Sequence, residues 1–166
     1  MSNIRVLILM GSDSDAPTMQ AAVDVLDEFQ IPCEMTVASA HRSPERVMRL
    51  VAEAPGRGVK VFIVGAGAAA HLAGVVAAHT TVPVIGVPID SSALKGLDAL
   101  LSTVQMPPGV PVATVSIGKP GATNAGVLAA QMLALADPAI ADRLNDYKRK
   151  LADKVEAAAA KIARST

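Results

Sequence analysis

The chain has 166 residues, and its 15 lysines and arginines balance its 15 aspartates and glutamates, so the formal net charge is zero. A neutral chain offers no basic field for a nucleic acid backbone, and with no Trp, one Tyr and two Phe it has few rings on which bases could stack. These counts argue against a nucleic acid partner. The length and the lack of a linker predict one domain over residues 1–166.

Short runs rich in Val and Ile alternate with longer helical patterns along most of the chain. The runs predicted as strands are 4–10, 33–38, 60–64, 83–87 and 111–115. The segments predicted as helices between them are 16–29, 44–54, 71–79 and 93–104. The alternation predicts an α/β fold: a three-layer, doubly wound parallel sheet in the flavodoxin-like strand order 2-1-3-4-5.

After the last strand the pattern turns helical, with helices predicted at 122–136 and 138–163, the second capped by Asp137. We therefore expect an α/β core over 1–120 and extra C-terminal helices over 121–166. The final helix carries an apolar stripe of Ile140, Leu144, Tyr147, Leu151, Val155, Ala158 and Ile162. Such a stripe either folds back on its own domain or packs on a neighbouring subunit, and the sequence leaves both open.

Residues 61–89 contain no Asp, Glu, Lys or Arg, as a membrane span would. Glycines, two histidines and the prolines at 83 and 88 divide this run, so we interpret it as buried parallel sheet and expect no membrane segment.

Cys33 is the single cysteine, which excludes an intrachain disulfide and a multi-cysteine metal cluster. With no secretory signal pattern, the expected location is the cytoplasm.

Polar loops follow the first three strands: Gly-Ser-Asp-Ser-Asp at 11–15, Ser-Ala-His-Arg-Ser at 39–43, and Gly-Ala-Gly-Ala-Ala-Ala-His at 65–71. Because the carboxyl ends of parallel strands open at one edge of the sheet, and strands 1, 2 and 3 are neighbours in the expected order, these loops should form one rim. The loop after strand 4, at 88–95, opens at the same edge.

The first loop suits an oxyanion or a sugar. Serine hydroxyls and the free amides at a helix start donate hydrogen bonds, and the helix dipole favours negative charge there. The aspartates Asp13 and Asp15 accept hydrogen bonds from hydroxyls, which favours a ribose end beside a phosphate end. The alternative is that these serines and aspartates only cap the helix.

His41 and Arg42 make the second loop the candidate chemical centre. Histidine can carry a proton near neutral pH, and arginine binds phosphate or carboxylate through two parallel hydrogen bonds. The alternative is an exposed histidine with Arg42 paired to Glu45.

The third loop matches neither a Walker loop nor a dinucleotide fingerprint, but its small residues let a flat ligand approach the backbone, with His71 as a candidate contact.

Taken in order, these motifs resemble the 5-(carboxyamino)imidazole ribonucleotide mutases, bacterial isomerases of purine (IMP) biosynthesis. The similar stretches, within about residues 4–136, are MGSDSD, SAHRSP, GAGAAAHLAG, PVIGVP, LLSTVQMPPGVPV and IGKPGATNAGVLAAQ. Two positions depart from the family pattern. Ala68 stands where a third glycine is usual, and Ala73 where proline usually follows His-Leu.

The resemblance implies that a carboxylate moves from the exocyclic nitrogen of the nucleotide to ring carbon 4, with His41 as the general acid and base. The residues it assigns to the substrate are Ser12 and Arg42 with Ser39 nearby for the phosphate, Asp15 for the ribose, and Gly67, Ala68, His71 and Leu72 for the imidazole and the carboxylate. It further implies no metal or organic cofactor, a homo-octamer, and functional coupling to an ATP-dependent carboxyaminoimidazole ribonucleotide synthetase.

Two other functions remain as alternatives. One is the related carboxylase that uses free carbon dioxide and aminoimidazole ribonucleotide; the small-residue run ending in His71 favours the mutase over it. The other is a nucleotide-binding module without catalysis, which would explain the first loop but leave His41 without a role.

Overall fold

In a computed structural model that describes residues 4–163, five parallel strands form one sheet in the order β2-β1-β3-β4-β5. The strands are β1 (Val6–Met10), β2 (Cys33–Val37), β3 (Val61–Gly67), β4 (Val84–Ile89) and β5 (Ala113–Thr114). The predicted fold class is confirmed, because the number, direction and order of the strands all agree with it.

Helices cover both faces of this sheet. They are α1 (Ala16–Glu28), α2 (Pro44–Glu53), α3 (Leu72–Ala78), α4 (Leu97–Val104), α5 (Gly118–Ala134) and α6 (Pro138–Ala163). Side chains alternate between the faces of a strand, so Val6 and Ile8 of β1 join α1 and α5 in one core, while Leu7 and Leu9 join α2, α3 and α4 in the other. Three layers result.

The apolar run at 61–89 forms β3, α3 and β4. Every residue of β4 is buried, and so is every residue of β3 except the half-buried Gly67. The interpretation of this run as buried parallel sheet is therefore confirmed. None of the helices between residues 4 and 163 is long and apolar enough to cross a membrane.

Several element boundaries differ from the prediction. Strand β3 continues to Gly67, because its small residues still pair with β4 as far as Ile89. Helix α4 begins at Leu97 rather than at 93, since Lys95 and Gly96 just before it adopt left-handed φ angles of 51° and 86°, which interrupt a right-handed helix. Helix α5 begins at Gly118 rather than at 122. Its first turn contains Pro120, which is tolerated there because the amides of the first turn have no partner within the helix, so the missing N–H of proline breaks no hydrogen bond.

The apolar stripe of α6 divides into two halves. Its first half folds back on the domain: Ile140 is buried, and the ring of Tyr147 stands edge-on to that of Phe29, with 5.3 Å between the ring centroids. In the second half, Leu151 and Val155 are 44% and 67% exposed. Folding back therefore accounts for only the first part of the stripe.

Asp137 ties the start of α6 to the sheet. Its carboxylate accepts a hydrogen bond from Arg5 Nη1 at 2.7 Å, and its backbone carbonyl oxygen accepts the amides of Ile140 at 3.1 Å and Ala141 at 3.2 Å, so Asp137 occupies the N-cap position that the sequence predicts. The hydrogen bond from Arg5 is the main reason that the pKa of Asp137 is lowered.

Candidate active site

The loops that follow the adjacent strands β1, β2 and β3 meet in one cleft of about 410 Å³. Its lining residues are Gly11, Ser12, Ser14, Asp15, Ser39, Ala40, His41, Arg42, Ala66, Gly67, Ala69, Leu72 and Ser91. The predicted site residues Ser12, Asp15, Ser39, His41, Arg42, Gly67 and Leu72 thus share one cavity. The other two, Ala68 and His71, lie outside its lining.

The first loop is held by reciprocal hydrogen bonds between its backbone and side chains. The amide of Ser12 donates to Asp15 Oδ2 at 3.2 Å, while the amide of Ser14 donates to Ser12 Oγ at 3.3 Å. This is the capping box that the simpler interpretation of the loop anticipates. Because Ser12 and Asp15 also line the cleft, the caps and the cavity wall are the same residues.

Asp15 is an unusually buried carboxyl group for a cavity wall, with 5% of the residue exposed. Burial raises its pKa, an effect that the Ser12 amide and the positive charge of Arg42 oppose and the negative charge of Asp13 reinforces. A carboxylate in this position gains from any hydroxyl that donates a hydrogen bond to it, as a sugar does.

Arg42 joins the second loop to the first. Its Nη2 donates to the carbonyl oxygen of Gly11 at 2.8 Å, and its backbone amide donates to Ser39 Oγ at 3.1 Å. The guanidinium therefore lies across the cleft and does not form the alternative pair with Glu45. Its Nε donates to Ser39 Oγ at 3.5 Å, and its Nη1 remains a donor for an anion in the cavity.

His41 and His71 are in direct contact, although only His41 belongs to the cavity lining. Nε2 of His41 lies 2.9 Å from Nδ1 of His71, and the rings meet edge to face at 81° with centroids 5.0 Å apart. One of the two nitrogens must donate and the other must accept. The ring of the third histidine, His79, lies just after α3, and its Nδ1 is 2.8 Å from the carbonyl oxygen of Val75 in that helix, away from the cleft.

The end of β3 carries almost no side chains, and its last two residues, Ala66 and Gly67, line the cleft. A Cβ at Gly65 would collide with the sulfur of Met19, and one at Gly67 would collide with Ser91 Oγ. The next residue, Ala68, has a left-handed φ of 50°, a region that favours glycine. The position where this chain departs from the glycine of the family pattern is thus one where the backbone conformation suits glycine.

Sequence reasoning missed Ser91, although it assigned Gly67 and Leu72 of the third loop to the substrate. The signal for Ser91 was present, because β4 is the neighbour of β3 and its following loop opens at the same edge. Among residues 4–163, no group of three or more His, Cys, Asp or Glu side chains is placed to hold a metal ion.

The chain belongs to the AIR carboxylase family, whose model matches residues 5–154. Within that family it resembles N5-carboxyaminoimidazole ribonucleotide mutases. That of Bacillus subtilis is 57% identical over 141 residues, 85% of this chain and 87% of the relative. That of Mycobacterium tuberculosis is 54% identical over 160 residues, 96% and 91% of the two chains.

Solved structures agree with this assignment. The crystal structure of Treponema denticola PurE superposes with a TM-score of 0.84 at 32% identity, and covers 94% of this chain and 96% of its own. That of a substituted form of Treponema denticola PurE2 gives a TM-score of 0.86 at 30% identity, covering 95% and 98%. The family expected from the sequence motifs is therefore confirmed.

Proposed function

We propose that this protein is an N5-carboxyaminoimidazole ribonucleotide mutase of purine biosynthesis, which moves a carboxylate from the exocyclic nitrogen to ring carbon 4 of the nucleotide. The observation that carries the proposal is a cleft in which His41 stands between a polar wall and a wall of small residues. The 57% identity to the Bacillus subtilis mutase supports the same reaction.

In this proposal the polar wall holds the ribose phosphate. Ser12 and Arg42 bind the phosphate with Ser39 beside them, and the Asp15 carboxylate accepts hydrogen bonds from the ribose hydroxyls. Support comes from the Arg42 guanidinium, which crosses the cleft to Gly11 at 2.8 Å and keeps further donors available. The buried carboxylate of Asp15 is a strong acceptor only 5% exposed.

His41 carries both proton transfers. The carboxylate leaves the exocyclic nitrogen as carbon dioxide, the bonding electron pair stays on nitrogen, and that nitrogen takes a proton from His41. Ring carbon 4 then attacks the carbon dioxide, and His41 recovers a proton from that carbon. One proton is given and one is recovered, so product and substrate are isomers and the chemistry requires neither a metal nor an organic cofactor.

The small-residue wall keeps the released carbon dioxide near the ring and excludes water from it. Ala66, Gly67, Ala69 and Leu72 line this side of the cavity without a charged group. Ala68 and His71 border it from outside, and His71 supports His41 through their 2.9 Å contact.

We further propose a homo-octamer with sites at subunit boundaries, located in the cytoplasm. The exposed Leu151 and Val155 of α6 are apolar surface that such an assembly would cover. A lone Cys33 fits a reducing compartment. Because the N-carboxylated substrate is a labile carbamate, an ATP-dependent synthetase that makes it is the expected functional partner.

Conversion of 4-carboxy-5-aminoimidazole ribonucleotide, followed by ultraviolet absorbance with and without bicarbonate, tests the reaction. We expect reversible conversion that is independent of bicarbonate and falls by at least about 100-fold in His41→Asn, while the variant still binds the nucleotide. Formation of the product from aminoimidazole ribonucleotide only when carbon dioxide is supplied would make the protein a carboxylase. Binding without turnover would make it a nucleotide-binding module.

A further inference from the structure

Ser91 projects into the cleft from the loop after β4, on the far side of β3 from the first two loops. The β3–β4 ladder pairs Gly67 with Ile89, so Ser91 lies two residues beyond the last paired position. Its hydroxyl packs on the bare Cα of Gly67, where any Cβ would collide with it. Gly67 thus makes room for the Ser91 side chain.

The hydroxyl of Ser91 differs from those of the other serines that line the cleft. Ser12 and Ser14 bond to each other, with 2.9 Å between their hydroxyl oxygens, and Ser39 Oγ accepts from the Arg42 amide. Ser91 Oγ forms no hydrogen bond with any residue between 4 and 163. It is therefore a donor that the fold itself does not use.

The position of this donor selects its ligand group. The phosphate and ribose belong, in the proposed function, to the loops after β1 and β2, whereas Ser91 follows β4 and touches the Gly67 backbone. This is the end of the cleft assigned to the imidazole ring. Of the groups there, a carboxylate is the strongest acceptor for a hydroxyl.

Building on the proposed function, we infer that Ser91 binds the carboxylate of the nucleotide, donating its hydroxyl proton to a carboxylate oxygen. The hydroxyl then distinguishes carboxylated nucleotides from the decarboxylated one. It also gives the carboxylate a fixed position beside the ring, opposite the acid and base His41.

Calorimetric binding of two nucleotides tests this role. The probes are 4-carboxy-5-aminoimidazole ribonucleotide and aminoimidazole ribonucleotide, titrated into the full chain, its Ser91→Ala variant and a matched Ser92→Ala control. Ser92 is the neighbouring serine, and its Oγ accepts the Leu94 amide at 3.1 Å within the loop and does not line the cleft.

We expect Ser91→Ala to weaken binding of the carboxylated nucleotide by about tenfold or more and that of the decarboxylated nucleotide by less than about twofold. Ser92→Ala should leave the ratio of the two affinities unchanged. An equal loss for both nucleotides in Ser91→Ala, or no loss for the carboxylated one, would overturn the inference.

Gly67→Ala gives a second, independent readout. The added Cβ must push the Ser91 hydroxyl aside, so this variant should lose the same discrimination while Ser91 is still present, and adding Ser91→Ala should cost little more. Fully additive losses would contradict the contact.

Binding and turnover separate the two proposals. A wild-type protein that binds both nucleotides but fails to interconvert the isomers would refute the mutase while the binding ratios still decide the role of Ser91. An active mutase whose Ser91→Ala variant keeps the wild-type ratio would refute the Ser91 inference alone. A wild-type protein that binds neither nucleotide would refute both.

Discussion

Nε2 of His41 lies 2.9 Å from Nδ1 of His71, although 30 positions separate the two residues in the chain. The contact links the loop after β2 to the start of α3 and couples the protonation of the two rings, since one of the two nitrogens must donate and the other accept. The orientation of His41 therefore depends on His71.

Replacing His71 by Ala should lower kcat by about 10- to 100-fold with a smaller change in KM, because His41 loses the partner that orients its ring. His71→Asn, which keeps a donor and an acceptor, should recover part of the loss. His79→Ala is the matched control, since the ring of that histidine contacts the carbonyl oxygen of Val75 in α3 and does not line the cleft. Steady-state kinetics with an unchanged kcat in His71→Ala would show that the contact has no role.

Ala68→Gly should stabilise the protein by about 1 kcal/mol, because a φ of 50° is strained for alanine and free for glycine. Ala69→Gly is the control: Ala69 has no positive φ, so the same exchange there should destabilise by about 0.5 kcal/mol through the entropy of the unfolded chain. Urea denaturation measures both. A destabilised Ala68→Gly variant would contradict the strain.

Asp15→Asn should become more stable relative to the wild type as the pH rises. Burial raises the pKa of Asp15 in the folded state above its ordinary value of 3.8, so the folded protein holds this proton more tightly than the unfolded chain does. The free energy of unfolding of the wild type therefore falls as the pH rises from below 3.8 to above the raised pKa. Asparagine does not ionise and keeps an oxygen for the Ser12 amide. Denaturation at several pH values from 3 to 7 measures the difference in free energy of unfolding between Asp15→Asn and the wild type. Asp24→Asn on α1 is the control for a lost charge. A difference that narrows with rising pH would refute the assignment.

Asp137→Asn should destabilise the protein most at neutral pH and progressively less in acid. The Arg5 hydrogen bond lowers the folded-state pKa of Asp137, so the stability it contributes is present above the ordinary carboxyl value of 3.8 and is lost as the pH falls through the lowered one. Thermal unfolding across that range measures this. Asp146→Asn on the same helix, whose pair with Arg149 is more exposed, should change little at any pH.

The strand order and the convergence of the loops were predictable, because both follow from the alternation of apolar runs and from the geometry of parallel sheets. The end of β3 was not, since Gly65 to Gly67 have low strand propensity and extend the strand only through their pairing with β4. The start of α4 was predicted wrongly because lysine rarely adopts a positive φ, so the residue type of Lys95 does not indicate the left-handed conformation found there.

In the site, too, residues that stand out by their type could be predicted, whereas contacts between distant elements could not. His41 and Arg42 stand out by residue type, and so the sequence could nominate them. The His41–His71 contact and the position of Ser91 depend on side-chain directions that arise only when separate elements pack together. Ser91 in particular lies in a loop that the sequence placed correctly but whose serines, Ser91 and Ser92, are chemically identical.

The bare floor of the cleft limits how this site could be redesigned. Gly67 presents no side chain that could be shortened, and an added Cβ would collide with Ser91 Oγ. At Gly67 the cavity can therefore be made shallower by substitution but not deeper. To make the site bind a nucleotide with a larger ring, the cleft must instead be widened at lining positions whose side chains can be shortened, such as Ser14 and Leu72.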